Sequence, residues 1–224
     1  MHHLLRVVRL KPLEHLRVVD GDRQCFEAEI TEESDGIRLL SAIEENSELD
    51  VEVTLLAGMI KGERWDWLLQ KCTELGVSRI VPLKSQRTVV RISGEKAAKK
   101  QERWQKIVEQ AARQCRRSRV PQVMAPVSLN QAAAWRSEQN FVAWEDERLH
   151  SARLVSLLQP ARSVTVVIGP EGGFSPSEIE LLKQAGYQCC SLGRRILRAE
   201  TAAVYALCAC NFVLEEETAD GQVD

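Results

Sequence analysis

The stretch Ser163-Val-Thr-Val-Val-Ile168-Gly-Pro-Glu-Gly-Gly-Phe174-Ser-Pro-Ser-Glu178 contains a strand, a glycine loop and a helix start in direct succession. Its apolar first part predicts a buried strand, and the glycines and proline that follow predict a loop. Ser175 and Glu178 form a capping-box pattern, with proline at the first helical position. A helix is therefore expected to begin directly after Ser175.

Strand, glycine loop and helix then recur in the same order. Gly186 is expected to end the first helix, and residues Tyr187 to Leu192 predict the next strand. The second loop, Leu192-Gly-Arg-Arg-Ile-Leu-Arg198, precedes an apolar helix that starts near Glu200. Because open α/β sheets bind ligands at the carboxyl ends of their strands, the two loops together predict a ligand site. For either loop taken alone, a tight or solvated turn without a ligand is the alternative.

The remaining pattern predicts an α/β protein that is preceded by a small β-rich part. From residue 48 onwards strands alternate with helices, which favours an open, mostly parallel sheet with helices on both faces. We expect a β-rich domain over residues 1–47, an α/β domain over 48–217 and an acidic tail over 218–224, with fraying from Glu215. The strands predicted in the first part are Leu5–Leu10, Leu16–Val19, Cys25–Ile30 and Ile37–Ile43.

Composition argues against several classes of protein. The seven cysteines have no Cys-x-x-Cys spacing and the four histidines have no ligand spacing, so neither a metal site nor a disulfide framework is expected. No apolar run approaches the roughly 20 residues that span a bilayer, and no signal segment is recognisable. The sequence therefore predicts a cytoplasmic protein with no membrane segment and no metal.

Positive charge is concentrated in one segment, although the formal net charge of the chain is −2. Residues 96–119 contain nine lysines and arginines but only Glu102 and Glu109 as acidic residues. Along the helix predicted from about Glu95, cationic and apolar side chains recur at helical spacing on different faces. Such a cationic face suits the phosphates of a nucleic acid, and a merely solvated helix face is the alternative.

Several motifs carry a resemblance to a known family. The two most specific are Ile168-Gly-Pro-Glu-Gly-Gly-Phe-Ser175 and Leu192-Gly-Arg-Arg-Ile-Leu-Arg-Ala-Glu-Thr-Ala202. Supporting motifs are Gln70-Lys-Cys-Thr-Glu-Leu-Gly-Val77, Arg103-Trp-Gln-Lys-Ile107 with Arg119-Val-Pro121, and His3-Leu-Leu-Arg-Val-Val-Arg9. With these motifs, nearly the whole chain resembles the RsmE-type 16S ribosomal RNA uracil-N(3) methyltransferases of the SPOUT superfamily.

The resemblance implies a deep trefoil knot in which the two glycine loops form a pocket for S-adenosylmethionine. Knots are exceptional in proteins, and nothing in the periodicity of this sequence suggests one. The amino-terminal part would be a PUA-like RNA-binding β-barrel whose first strand is missing here, either truncated or replaced. The cofactor-binding residues implied are Ile168, Gly169, Pro170, Glu171, Gly172 and Gly173 in the first loop, and Leu192, Gly193, Ile196 and Leu197 in the second.

The implied chemistry is an in-line attack of the uracil ring nitrogen on a methyl group, with loss of the nitrogen's proton. Arg198 is the candidate for stabilising the uracil anion, and Glu200 or Thr201 for orienting the base. A purely structural role as caps of the last helix is the alternative for Glu200 and Thr201. That helix is apolar nearly all round, which fits the homodimer that the resemblance implies.

The implied macromolecular partner is 16S ribosomal RNA or the small ribosomal subunit. The RNA-binding candidates are Arg6, Arg9, Arg87, Arg91, Lys99, Arg103, Lys106, Arg113, Arg116, Arg117 and Arg119. Two positions depart from the family pattern, because Arg116 replaces an expected glycine and Gln86 an expected glutamate. The alternatives are a SPOUT methyltransferase that modifies transfer RNA or a ribose hydroxyl, and a non-catalytic RNA-binding ribosome assembly factor.

Overall fold

A computed structural model describes residues 5–6, 9–44, 47–90, 92, 95–145 and 151–219. The chain forms two compact units. One comprises Met1–Glu48 and Arg116–Arg119, and the other comprises Leu49–Cys115 and Val120–Asp224.

In its described part, the first unit contains a three-stranded antiparallel sheet in the order β1-β2-β3. The strands are β1 (His15–Val19), β2 (Cys25–Ile30) and β3 (Ile37–Ile43). The predicted strands Cys25–Ile30 and Ile37–Ile43 are therefore confirmed, and so is Leu16–Val19, which begins one residue earlier, at His15. The strand predicted over Leu5–Leu10 is wrong at its described residues, which lie outside any strand. Arg9 has a φ of 63°, which is incompatible with extended backbone, and Val7 and Val8 lie outside the described residues.

The second unit is an α/β layer structure around a parallel sheet. Within the described residues the strands follow the order β10-β8-β9-β4-β5-β6, and β7 also pairs with β5. All of these pairings are parallel. The strands are β4 (Glu52–Gly58), β5 (Arg79–Lys84), β6 (Gln122–Val123), β7 (Val127–Ser128), β8 (Gln139–Ala143), β9 (Ser163–Ile168) and β10 (Gln188–Cys190).

Helices cover both faces of the sheet, as the alternating pattern predicts. The apolar residues of β4 and β9 alternate between two cores, with Leu55 and Val166 in one and Leu56 and Val167 in the other. Helices α1, α2, α3 and α5 pack on the first core, and α4 and a 3-10 helix (Leu129–Trp135) pack on the second. The α-helices are α1 (Glu63–Glu74), α2 (Glu95–Gln114), α3 (Leu154–Leu157), α4 (Pro176–Gln184) and α5 (Ala199–Ala219).

The predicted start of α4 is confirmed, and the predicted end of α5 is wrong. Ser175 Oγ accepts a hydrogen bond from Glu178 N at 3.3 Å, and the Glu178 carboxylate accepts one from Ser175 N at 2.9 Å. Helix α5 does not fray at Glu215 but continues to Ala219. The residues that extend it are mostly glutamate and alanine, which have high helix propensity.

Candidate active site

Three loops meet at one edge of the parallel sheet because β8 lies between β9 and β10. Parallel strands end at the same edge, so the loops that follow these three strands are neighbours in space. They enclose a cavity of about 360 Å³, called the loop cavity below. Residues of both glycine loops line this one cavity.

Nine of the ten predicted cofactor-binding residues line the loop cavity, and Arg198 lies beside them. Those nine are Ile168, Gly169, Pro170, Glu171, Gly173, Leu192, Gly193, Ile196 and Leu197. Gly172 does not line the cavity, because its carbonyl points to Arg87 and accepts a hydrogen bond from the Arg87 guanidinium at 2.9 Å. Sequence reasoning missed seven further lining residues, which are Arg64, Ala143, Trp144, Glu145, Arg195, Ala199 and Ala202.

Main-chain contacts fix the conformation of the first loop. Gly173 has a φ of 63°, and its N–H donates to the Pro170 carbonyl at 2.9 Å. A side chain at Gly58, at the end of β4, would place a Cβ only 2.2 Å from Pro170 N. The Arg64 guanidinium on α1 pairs with the Glu171 carboxylate at 3.2 Å. The loop is therefore held from the neighbouring strand and from a helix.

The second loop turns sharply and then leads into α5. Gly193 has a φ of 110°, a region in which only glycine is unstrained, and its N–H donates to Ser191 Oγ at 3.1 Å. Ile196 lines the cavity although its side chain is 71% exposed. The Arg198 carbonyl accepts from Ala202 N at 2.8 Å and so starts the helix. The apolar residues of this loop thus form one wall of the cavity.

The three predicted catalytic residues have different environments. Arg198 is exposed and lines the loop cavity. Glu200 is buried, with 7% of its surface exposed, and its Oε2 has no hydrogen-bond partner among the described residues. Thr201 is exposed on α5, and neither Glu200 nor Thr201 lines the cavity. Of the three, Arg198 is the one placed to meet a ligand there.

Several RNA-binding candidates in the second unit are exposed. Lys99, Lys106 and Arg113 lie on the exposed face of α2. The guanidinium of Arg103 also lies on α2 and pairs in a bidentate manner with Asp66, and this hydrogen bonding raises the pKa of Arg103. Arg103 therefore stays charged, and the Asp66 carboxylate partly compensates its positive charge. Arg91 lies outside the described residues.

In the first unit, the structure corrects one RNA-binding prediction. The side chain of Arg117 is 4% exposed and pairs at 2.7 Å with the Glu48 carboxylate, which is 5% exposed. A guanidinium buried in this way cannot reach an RNA phosphate. Arg6, Arg9, Arg116 and Arg119 are exposed.

Neither a metal-binding group nor a membrane-spanning helix is found among the residues that the structure describes. Within them, no group of three or more His, Cys, Asp or Glu side chains is arranged to hold a metal ion. No helix in this part of the chain is long and apolar enough to cross a membrane.

Comparisons with known proteins agree with the geometry of this site. A family model described as an RNA methyltransferase domain matches residues 47–211. The ribosomal RNA small subunit methyltransferase E of Bacillus subtilis is 34% identical, over 96% of this chain and 88% of its own length.

Two solved structures extend this similarity to the fold. The first is a ribosomal RNA small subunit methyltransferase E from Neisseria gonorrhoeae bound to S-adenosylmethionine, with 31% identity and a TM-score of 0.84. The second is a Legionella pneumophila structure in complex with the same cofactor, with 34% identity and a TM-score of 0.84. Each match covers 94% of this chain and 88% of the other. The chain therefore belongs to the ribosomal RNA small subunit methyltransferase E family.

Proposed function

We propose that this protein transfers the methyl group of S-adenosylmethionine to ring nitrogen N3 of a uridine in 16S ribosomal RNA. The observation that carries this proposal is the loop cavity, in which three adjacent strand ends form one pocket with Arg198 in its lining. Its family membership supports the enzyme class and the ribosomal substrate. The cofactor is supported by the two similar structures that contain it.

The residues of the loop cavity fit S-adenosylmethionine in size and chemistry. A volume of about 360 Å³ lies within the range of roughly 300–1,000 Å³ that is usual for small-molecule sites. Ile168, Leu197 and Ala202 offer apolar surface for a flat adenine, and the glycine loops offer main-chain donors and acceptors. Carboxylates and guanidinium groups both line the cavity and suit the zwitterionic end of the cofactor.

The protein's own contribution to the reaction is positioning and charge stabilisation. When bound, the cofactor supplies an electrophilic methyl group on a sulfonium sulfur. Uracil N3 gives up its proton to solvent, which leaves negative charge on the base. The bond from N3 to the methyl carbon then forms as the methyl–sulfur bond breaks, and S-adenosylhomocysteine leaves. The Arg198 guanidinium carries the positive charge that stabilises this anion. The first glycine loop, held by Arg64 and Arg87, keeps the cavity in shape while the base enters.

Nucleoside mass spectrometry of RNA from an in vitro reaction tests the proposal. The substrate is 16S ribosomal RNA, free or in small subunits, from a strain that lacks the enzyme. We expect uridine methylated at N3. A ribose-methylated nucleoside, or methylated transfer RNA with unmodified 16S RNA, would refute the uracil assignment. Cofactor binding without any RNA methylation would instead favour a non-catalytic assembly factor.

Arg198→Ala tests the proposed catalytic role. The turnover number should fall about 10²–10³-fold because the developing anion loses its cation. The dissociation constant for S-adenosylmethionine should stay within a few-fold. Arg194→Ala is the matched control, because Arg194 is exposed in the same loop but does not line the cavity. Turnover of Arg198→Ala equal to that of the control would remove Arg198 from the mechanism.

We also propose that the active form is a homodimer that buries the outer face of α5. Tyr205, Cys208 and Phe212 share one face of this helix and are exposed, with Phe212 at 65% exposure. Large exposed aromatic and apolar side chains in one stripe favour a subunit interface. Light scattering should give twice the mass of the chain, and Phe212→Asp should give the single mass. A monomeric wild-type protein would contradict the proposal.

The finer features of the fold are proposals of the same kind. We propose a trefoil knot in the α/β unit and a PUA-like barrel around the three-stranded sheet, supported by the similarity to the two methyltransferase structures.

The exposed cations of α2 would bind RNA phosphates in the cytoplasm. Lys99→Glu with Lys106→Glu should weaken RNA binding and reduce its salt dependence. If the double variant binds RNA at low salt with the affinity of the wild type, the exposed face of α2 is not the RNA-binding surface.

A further inference from the structure

Glu145 is one of the residues that line the loop cavity. It follows β8, the strand that lies between the two strands whose glycine loops form the cavity walls. The proposed function above uses the lining carboxylates only as a set and gives Glu145 no role of its own.

The Glu145 carboxylate packs directly on the first glycine loop. A Cβ built on Gly173 would lie 2.1 Å from Glu145 Oε1, 2.9 Å from Cδ and 3.1 Å from Oε2. The side chain therefore occupies the space that any larger residue at position 173 would take. The carboxylate and the main chain of the loop face the same ligand space.

The lining of the loop cavity contains both acidic and basic side chains. Glu171, the other acidic residue of the lining, pairs with Arg64 at 3.2 Å. The cationic groups of the lining are guanidinium groups, which only donate hydrogen bonds. An ionised carboxylate only accepts them, and hydrogen bonds to it are stronger than those to neutral acceptors. Glu145 is thus suited to ligand groups that donate.

We propose that Glu145 anchors S-adenosylmethionine by accepting hydrogen bonds from its donor groups. Two groups of the cofactor have this chemistry, the ribose hydroxyls and the α-ammonium of the methionine part. A carboxylate at a strand end that accepts from ribose hydroxyls is also the arrangement of dinucleotide sites. This inference rests on the proposed use of S-adenosylmethionine.

Calorimetric titration of Glu145→Gln tests the inference and identifies the donor. Glu145→Gln keeps the size of the side chain and removes its charge. The ligands are S-adenosylmethionine, S-adenosylhomocysteine and 5′-methylthioadenosine, which retains the ribose but lacks the amino acid. We expect the dissociation constant to rise about tenfold or more. If the variant binds all three ligands more weakly than the wild type does, the donor is the ribose. If 5′-methylthioadenosine binds unchanged, the donor is the ammonium.

A matched control and a stability measurement separate this role from a structural one. Glu180→Gln changes the same residue type on α4, at an exposed position outside the cavity, and should bind like the wild type. Thermal unfolding of each variant without ligand should match that of the wild type. If Glu145→Gln is stably folded and its dissociation constants for all three ligands are within twofold of the wild-type values, the inference about Glu145 is wrong. The proposed cofactor is not affected by that result. A wild-type protein that binds none of them overturns the proposed cofactor as well.

Discussion

Replacing Gly58 with alanine should damage the loop cavity without changing any residue that lines it. Gly58 ends β4, next to the start of the first glycine loop. An added Cβ would lie 2.2 Å from Pro170 N, 2.6 Å from Pro170 Cδ and 2.7 Å from the Gly169 carbonyl carbon. These are mostly main-chain atoms, so no flexible side chain can move aside.

The expected magnitude follows from these distances. Ordinary van der Waals contacts begin at 3.4 Å, so the loop must move by about 1.2 Å. Strands β4 and β9 are paired in register up to Ala57 and Ile168, which prevents the strands from separating. Overpacking of this kind costs about 1–3 kcal/mol of unfolding free energy. A displacement of about 1 Å at a site can reduce the rate roughly 100-fold.

Urea unfolding, calorimetric titration with S-adenosylmethionine and methyl transfer measure the three expected effects. Gly21→Ala is the matched control, because a Cβ at Gly21 meets nothing within 4 Å. Neither glycine has a positive φ, so backbone strain does not enter the comparison. If Gly58→Ala has the stability and cofactor affinity of Gly21→Ala, the close approach of β4 to the loop does not shape the cavity.

Three further predictions concern buried groups and a helix cap. Glu48→Gln removes the carboxylate charge that pairs with the buried Arg117 guanidinium and should lower the free energy of unfolding by about 3–5 kcal/mol, whereas the additional change Arg117→Met should recover most of it. Burial raises the pKa of the Cys190 thiol from 9.0 to about 12, so above pH 9 the unfolded chain loses a proton that the folded chain keeps. The stability advantage of the wild type over Cys190→Ala should therefore shrink by about 1.4 kcal/mol per pH unit above pH 9, and a constant difference between pH 8 and pH 10 would contradict this. Ser175→Ala should cost about 0.5–2 kcal/mol in urea unfolding, because α4 loses its cap, and an unchanged midpoint would show that Glu178 alone holds the helix start.

Local patterns were sufficient to predict much of the candidate site. The capping box at Ser175 and the apolar run over Ser163–Ile168 specify a helix start and a buried strand through interactions between residues close in sequence. The two glycine loops are adjacent to these elements, so their positions follow from the same patterns. Arg198 lies in the second of these loops, and its catalytic assignment came from the chemistry that the family resemblance implies.

The tertiary structure decided which other residues meet the loops. Glu145 follows a short strand without a glycine signal, and it reaches the cavity because β8 lies between β9 and β10. Arg64 arrives from α1, about a hundred residues earlier in the chain, to pair with Glu171. Strand order depends on long-range packing, so no local pattern could have predicted either contact.

Burial shows the same division between sequence and structure. Arg117 and Arg119 lie two residues apart in one basic segment, and composition alone gives both the same role. The fold buries Arg117 against Glu48 and leaves Arg119 exposed. The sequence by itself determined the buried strand before the first loop, the helix cap at Ser175 and the two glycine loops, because these depend on neighbouring residues. Only the tertiary structure decided which charged side chains are exposed and which residues they pair with, because solvent exposure and ion pairing depend on residues that are distant in the chain.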